Sequence, residues 1–83
     1  MAEARVEMAR GADQMRAGAA DMRREAERLQ DRGYRERIIA ENRARGQTTT
    51  HEQLLDVARR LPAQAADLER NAAAMEAQAR ERS

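Results

Sequence analysis

Few residues in this chain have the side chains that catalysis needs. His51 is the sole histidine, and Glu52 follows it. A helical zinc site of the His-Glu type needs a second histidine one turn further on, so His51 reads as a solvated side chain beside a helix start. The only serine is Ser83, and cysteine is absent, so no nucleophile–base pairing can be assembled. Thr48-Thr49-Thr50 could meet an anion at a helix N-terminus, but capping already explains that run. Met8, Met15 and Met22 share a helical face, and thioethers bind soft metals. Seven-residue spacing separates them by about 10 Å along the axis, so they read as adaptable packing rather than as ligands. The chain is therefore expected to be no enzyme and to hold no metal or cofactor.

One constellation suggests binding. Arg24, Arg28, Arg32 and Arg35 recur at helical spacing, and residues 23–50 carry eight Arg against five acids. Such a row could contact phosphates, giving a small nucleic-acid-binding regulator as one reading. Against it stand acids placed to form intrahelical pairs: Asp21 with Arg24, Glu25 with Arg28, Asp31 with Arg35 and Glu41 with Arg45. Tyr34 is the only aromatic available for base stacking. The formal net charge is only +1, unlike that of a general polyanion binder.

The elements that would position these residues follow from composition. Of 83 residues, 19 are Ala and only 15 are larger apolar residues. All 16 basic residues are Arg, a bias that suggests a GC-rich genome. Four Gly and one Pro are too few for a loop-rich or all-β fold. No apolar run approaches the roughly 18 residues of a membrane span, and the first residues form no apolar leader, so a cytoplasmic chain is expected.

Spacing makes the helices specific. Met1, Met8, Met15, Met22 and Leu29 recur every seventh residue, and Ala12, Ala19 and Ala26 follow three of them by four. Leu54, Leu61, Leu68 and Met75 repeat in the same way, with Ala58, Ala65, Ala72 and Ala79 four residues later. This 3-4 alternation is a coiled-coil seam. Alanine in the seam lets two backbones approach closely while Met and Leu pack over the neighbour. The pattern resembles the Alacoil, the tight antiparallel helix pair of Rop-like hairpin proteins. The resemblance is one of period, covers both helices and carries over no functional residue.

The expected fold is all-α: a long antiparallel helical hairpin in a single domain, 1–83. Helix one spans about 2–45, the turn 46–49 and helix two about 50–81, with kinks near Gly33 and Pro62. Gly46 suits a left-handed helix end, and Thr50 with Gln53, or Thr49 with Glu52, forms a capping box. Gly33 and Pro62 should face each other, with residues 1–13 overhanging. A full break at Gly33 would instead make three helices.

The segment between these breakers holds Tyr34, Ile38, Ile39, Leu54, Leu55 and Val57, more apolar surface than one hairpin can cover. These six residues are the expected interface. A second copy is the simplest cover, giving a homodimeric four-helix bundle; another protein is the alternative occupant. The function expected is oligomerisation or protein interaction through helix-face packing. The alternatives are the Arg24–Arg35 nucleic-acid face and a small inhibitor that occludes a partner.

Overall fold

The computed structural model describes residues 2–81, which form three helices and no strands. Helix α1 covers Ala2–Arg28, α2 covers Arg32–Ala44 and α3 covers His51–Glu81. Helices α1 and α3 run antiparallel as the main pair, with Arg16 bound to Glu76 and Arg23 to Glu69 at 2.6 Å. The Cα envelope measures 51 × 22 × 15 Å.

The alanine seam forms as its spacing predicts. Ala12, Ala19, Ala65 and Ala72 are 0 % exposed, and Ala26 and Ala58 are also buried. Their large heptad partners Met8, Met15, Met22, Leu61, Leu68 and Met75 are only half-buried. With the alanines at heptad position a and the large residues at d, the axis between the helices contains methyl groups. The close approach is measurable: a methyl built on Gly11 would lie 2.9 Å from Met75 Cε, and one on Gly18 would lie 3.7 Å from Leu68 Cδ1.

Helix one is not continuous. Residues 29–31 form a turn between α1 and α2, so the expected helix over 2–45 is two helices. The break falls before Gly33, because Asp31 is the N-cap of α2. It is extended (φ −82°, ψ 123°), and its carboxylate accepts from Tyr34 N–H at 2.8 Å. Gly33 then lies in the first turn of the new helix. An Asp cap satisfies an otherwise orphaned amide, and that local bond outcompetes continuation of α1.

The break shifts the register of the pair. Pro62 shares a shallow hollow with Arg23, Ala26, Glu27 and Gln30, so it faces the end of α1 rather than Gly33. Helix α3 continues through Pro62 and reaches far enough along α1 to cover Gly11 and Ala12. The overhang expected for residues 1–13 is correspondingly shorter, with Val6 exposed. Met1 lies outside the described residues.

The connection between α2 and α3 follows its sequence signals. Gly46 has φ +83°, and its N–H donates to Arg43 O at 2.9 Å, while Gln47 N–H donates to Asn42 O at 2.9 Å. This pair of bonds is a Schellman helix end. The Thr50–Gln53 capping box forms in full: Thr50 N–H donates to Gln53 Oε1 at 3.0 Å and Gln53 N–H to Thr50 Oγ1 at 3.1 Å. No helix among the described residues is long and apolar enough to cross a membrane.

Candidate functional site: the uncharged flank of the helix pair

Because position a points straight at the neighbouring helix, the two flanks of the α1–α3 pair are set by positions e and d. On the e flank the ion pairs Arg16–Glu76 and Arg23–Glu69 close the seam. Arg23 holds the Glu69 carboxyl below its ordinary value, through their hydrogen bond first and their charges second. The opposite flank is formed by d and g. Its d residues are Met8, Met15 and Met22 from α1, Leu29 just past its end, and Leu54, Leu61, Leu68 and Met75 from α3. Its g residues are Ala4, Gly11, Gly18 and Glu25, with Val57, Gln64, Asn71 and Gln78.

Glu25 is the only charge among these sixteen positions, in a chain that is 37 % charged. Its carboxylate is engaged within the chain: Tyr34 Oη donates to Oε1 at 2.7 Å, and Arg28 lies 3.8 Å from Oε2. The d residues pack the hairpin itself, so the informative positions are at g. Val57, Gln64, Asn71 and Gln78 are solvent-exposed, yet none carries a charge. A solvated face in so charged a chain would be expected to carry Arg and Glu, as the outer positions of both helices do.

The six expected interface residues divide into three groups. Leu54 is buried with Leu29 and Ala58, and Tyr34, Ile38 and Ile39 pack against that cluster together with Leu61. Most of this apolar segment therefore covers itself, with Leu54 inside. Leu55 is half-buried, and Val57 is 41 % exposed, so Val57 is the member of the set that lies open on the uncharged flank.

The arginine row is engaged in full. Arg24 binds Asp21, Arg28 pairs with Glu25, and Arg32 Nε donates to Glu36 at 3.1 Å. Arg35 does not pair with Asp31, whose carboxylate is used as the cap. Instead its guanidinium donates from Nη1 to Leu29 O at 2.6 Å and from Nε to His51 Nδ1 at 3.1 Å. Arginine can only donate, so His51 Nδ1 is the acceptor. His51 is thus half-buried and bonded, not solvated as expected. One side chain ties the end of α1 to the start of α3. No Glu41–Arg45 pair forms among the described residues, because Arg45 is the C-cap of α2 and has left the helix.

The Arg35–His51 and Tyr34–Glu25 links were not evident in the sequence, because their partners meet only once the break is placed. The uncharged flank did leave a signal there: Gly11, Gly18, Val57, Gln64, Asn71 and Gln78 recur in the same heptads as the seam.

Tyr34 offers a direct test of the link across the break. Its hydrogen bond to Glu25, then partial burial and the Glu25 charge, raise its pKa above the ordinary 10.0. A folded value raised in this way stabilises the native state fully below the unfolded pKa, and the contribution is lost as pH rises through the folded value. As the only aromatic, Tyr34 supplies the entire tyrosinate absorbance. An absorbance titration is expected to give a midpoint above 10, and Glu25→Gln is expected to lower it.

Among the described residues, no three His, Cys, Asp or Glu side chains are grouped to hold a metal ion. No family model, characterised protein or solved structure matches the chain. The reading of its function therefore rests on the two unlike flanks of the helix pair.

Proposed function

We propose that this chain is a non-enzymatic protein-interaction module that acts by packing one helix-pair face against a protein surface. The observation that carries this reading is that the exposed g positions of α3, Val57, Gln64, Asn71 and Gln78, carry no charge. Interface centres are depleted in charged residues, with aromatic residues, Met and Arg enriched relative to the rest of the surface. Met8, Met15, Met22 and Met75 supply the flexible thioethers of an adaptable surface. Beyond the end where α2 covers Leu29 and Leu54, the d residues Met8, Met15, Met22, Leu68 and Met75 are only half-buried, and layered packing is how helices ordinarily cover an apolar stripe.

The test is the hydrodynamic size of the tagged chain in native cell extract. The wild-type chain is expected to migrate well above its 9.4 kDa mass. Gln64→Glu with Gln78→Glu, both on exposed positions of the uncharged flank, is expected to return it to monomer size with unchanged helicity. A wild-type chain that migrates as a monomer in extract would remove the reading.

A further inference from the structure

We infer that the hollow at Gln30 and Pro62, on the flank opposite the uncharged one, is a binding site for a single arginine side chain of a partner protein. The inference goes beyond the interaction-module reading and does not depend on it, since it concerns other residues on the other side of the helix pair.

The hollow is the open rung of a ladder. Along the e flank Arg16 of α1 meets Glu76 of α3, and seven residues on, Arg23 meets Glu69 at 2.6 Å. The next step of the same antiparallel register sets Gln30 against Pro62. Neither carries a charge, and a hollow of about 300 Å³ stands there, lined by Arg23, Ala26, Glu27, Gln30, Ala58 and Pro62. The alanine seam is less well covered at this rung. Ala26 and Ala58 are 8 % and 4 % exposed, whereas Ala12, Ala19, Ala65 and Ala72 are 0 % exposed. Each closed rung places a guanidinium against a carboxylate beside the seam. The open rung has the alanines and a carboxylate, Glu27, without the guanidinium.

The chemistry of the lining selects a donor. Pro62 has no N–H, so the Ala58 carbonyl lacks the amide that an α-helix supplies four residues on. That carbonyl points along the helix toward Pro62, and both residues line the hollow. Glu27 is exposed, and its carboxylate has no ion-pair partner among the described residues. The guanidiniums of the chain at this place are engaged: Arg23 is held by Glu69, and Arg59, next to Ala58 in the chain, is held by Asp56 at 2.7 Å. The hollow therefore offers two acceptors without a donor, and one uncompensated negative charge.

Arginine fits this set better than lysine or an uncharged group. Its planar fork presents five N–H donors, enough to reach a carboxylate and a carbonyl together. Its apolar stem can lie on Ala26, Ala58 and the Pro62 ring, as long cationic side chains do on apolar surfaces. The shallowness of the hollow selects a side chain over a free small molecule. Free ligands have about 70–90 % of their surface buried in pockets of about 300–1,000 Å³, and a hollow open along the flank of a rod cannot enclose one. A side chain carried by a protein surface needs only its end covered.

The experiment follows the alanine methyl resonances of the intact chain during titration with the blocked peptide Ala-Arg-Ala. Saturable shifts are expected at Ala26 and Ala58, and none at Ala12 or Ala72. Glu27→Gln is expected to weaken binding about fivefold, as is Pro62→Ala, which returns an N–H to the Ala58 carbonyl; this is the size of one solvent-accessible ion pair or hydrogen bond. Gln30→Arg places an arginine where Arg16 and Arg23 stand in the closed rungs. It is expected to abolish binding by filling the hollow from within, with helicity unchanged. Glu7→Gln, at an exposed acid near the other end of α1, is expected to change nothing. A peptide with citrulline or lysine in place of arginine that bound as tightly would overturn the guanidinium. Methylguanidine binding as tightly as the peptide would overturn the protein partner. Shifts that fail to saturate, or that Glu27→Gln and Gln30→Arg leave unaltered, would overturn the site.

Discussion

Ala65→Leu is expected to lower the melting temperature by about 10 °C or more at fixed protein concentration. Ala65 has no exposed surface and lies on the axis between α1 and α3, opposite alanines rather than cavities. Three added carbons have no space there, and overpacking of a tight core typically costs 1–3 kcal/mol. In a domain of this size each kcal/mol shifts the midpoint by about 4–8 °C. Ala63→Leu, two residues away and exposed, should change the midpoint by little, since surface substitutions usually stay within about 0.5 kcal/mol. The comparison is made by circular dichroism melts of the two variants. Equal midpoints would mean that the helices are not held at methyl-to-methyl distance.

The second large effect is expected at the break. Leu29 is 2 % exposed and forms the buried cluster with Leu54 and Ala58, against which Tyr34, Ile38 and Ile39 rest. Leu29→Ala removes the largest contact between the end of α1 and the other two helices. Buried Leu→Ala changes cost about 2–5 kcal/mol, and the lower half of that range suits a cluster that is partly open. Because Leu29 lies in a turn, the substitution does not act through helix propensity. Its signature is therefore loss of docking of α2: the tyrosinate midpoint of Tyr34 falls toward 10 together with the stability. Leu55→Ala, at a half-buried position, should cost less and leave Tyr34 unaffected. A stable Leu29→Ala chain with an unshifted Tyr34 would show that α2 is held by other contacts.

What the sequence made legible was local or periodic. The seven-residue repeat of Ala65 and Ala72 marked the buried seam, Thr50 and Gln53 marked the start of α3, and Gly46 marked the left-handed turn. Each signal acts within about one helical turn of itself. The break was harder, because two stop signals, Asp31 and Gly33, stand two residues apart. A side-chain cap that makes a hydrogen bond outcompeted a residue that merely permits bending. That small shift moved Pro62 against the end of α1, and with it the partners of Arg35 and His51. Residue type alone marks Ile38 and Ile39 as apolar, and only the fold shows that they pack against Leu29 and Leu54.

Helix α2 contains no buried residue and is secured by half-buried side chains at its inner face and by polar links at its start. The chain therefore holds two levels of stability under one connectivity. Opening α2 exposes far less apolar surface than separating α1 from α3, and regions with few buried contacts open at free energies well below the global value. The 29–31 turn and the Gly46 turn bound α2, whose Tyr34, Ile38 and Ile39 rest on Leu29, Leu54 and Ala58. Backbone amides of α2 would trade their hydrogens with solvent long before those of the alanine seam, while the rod itself stayed intact.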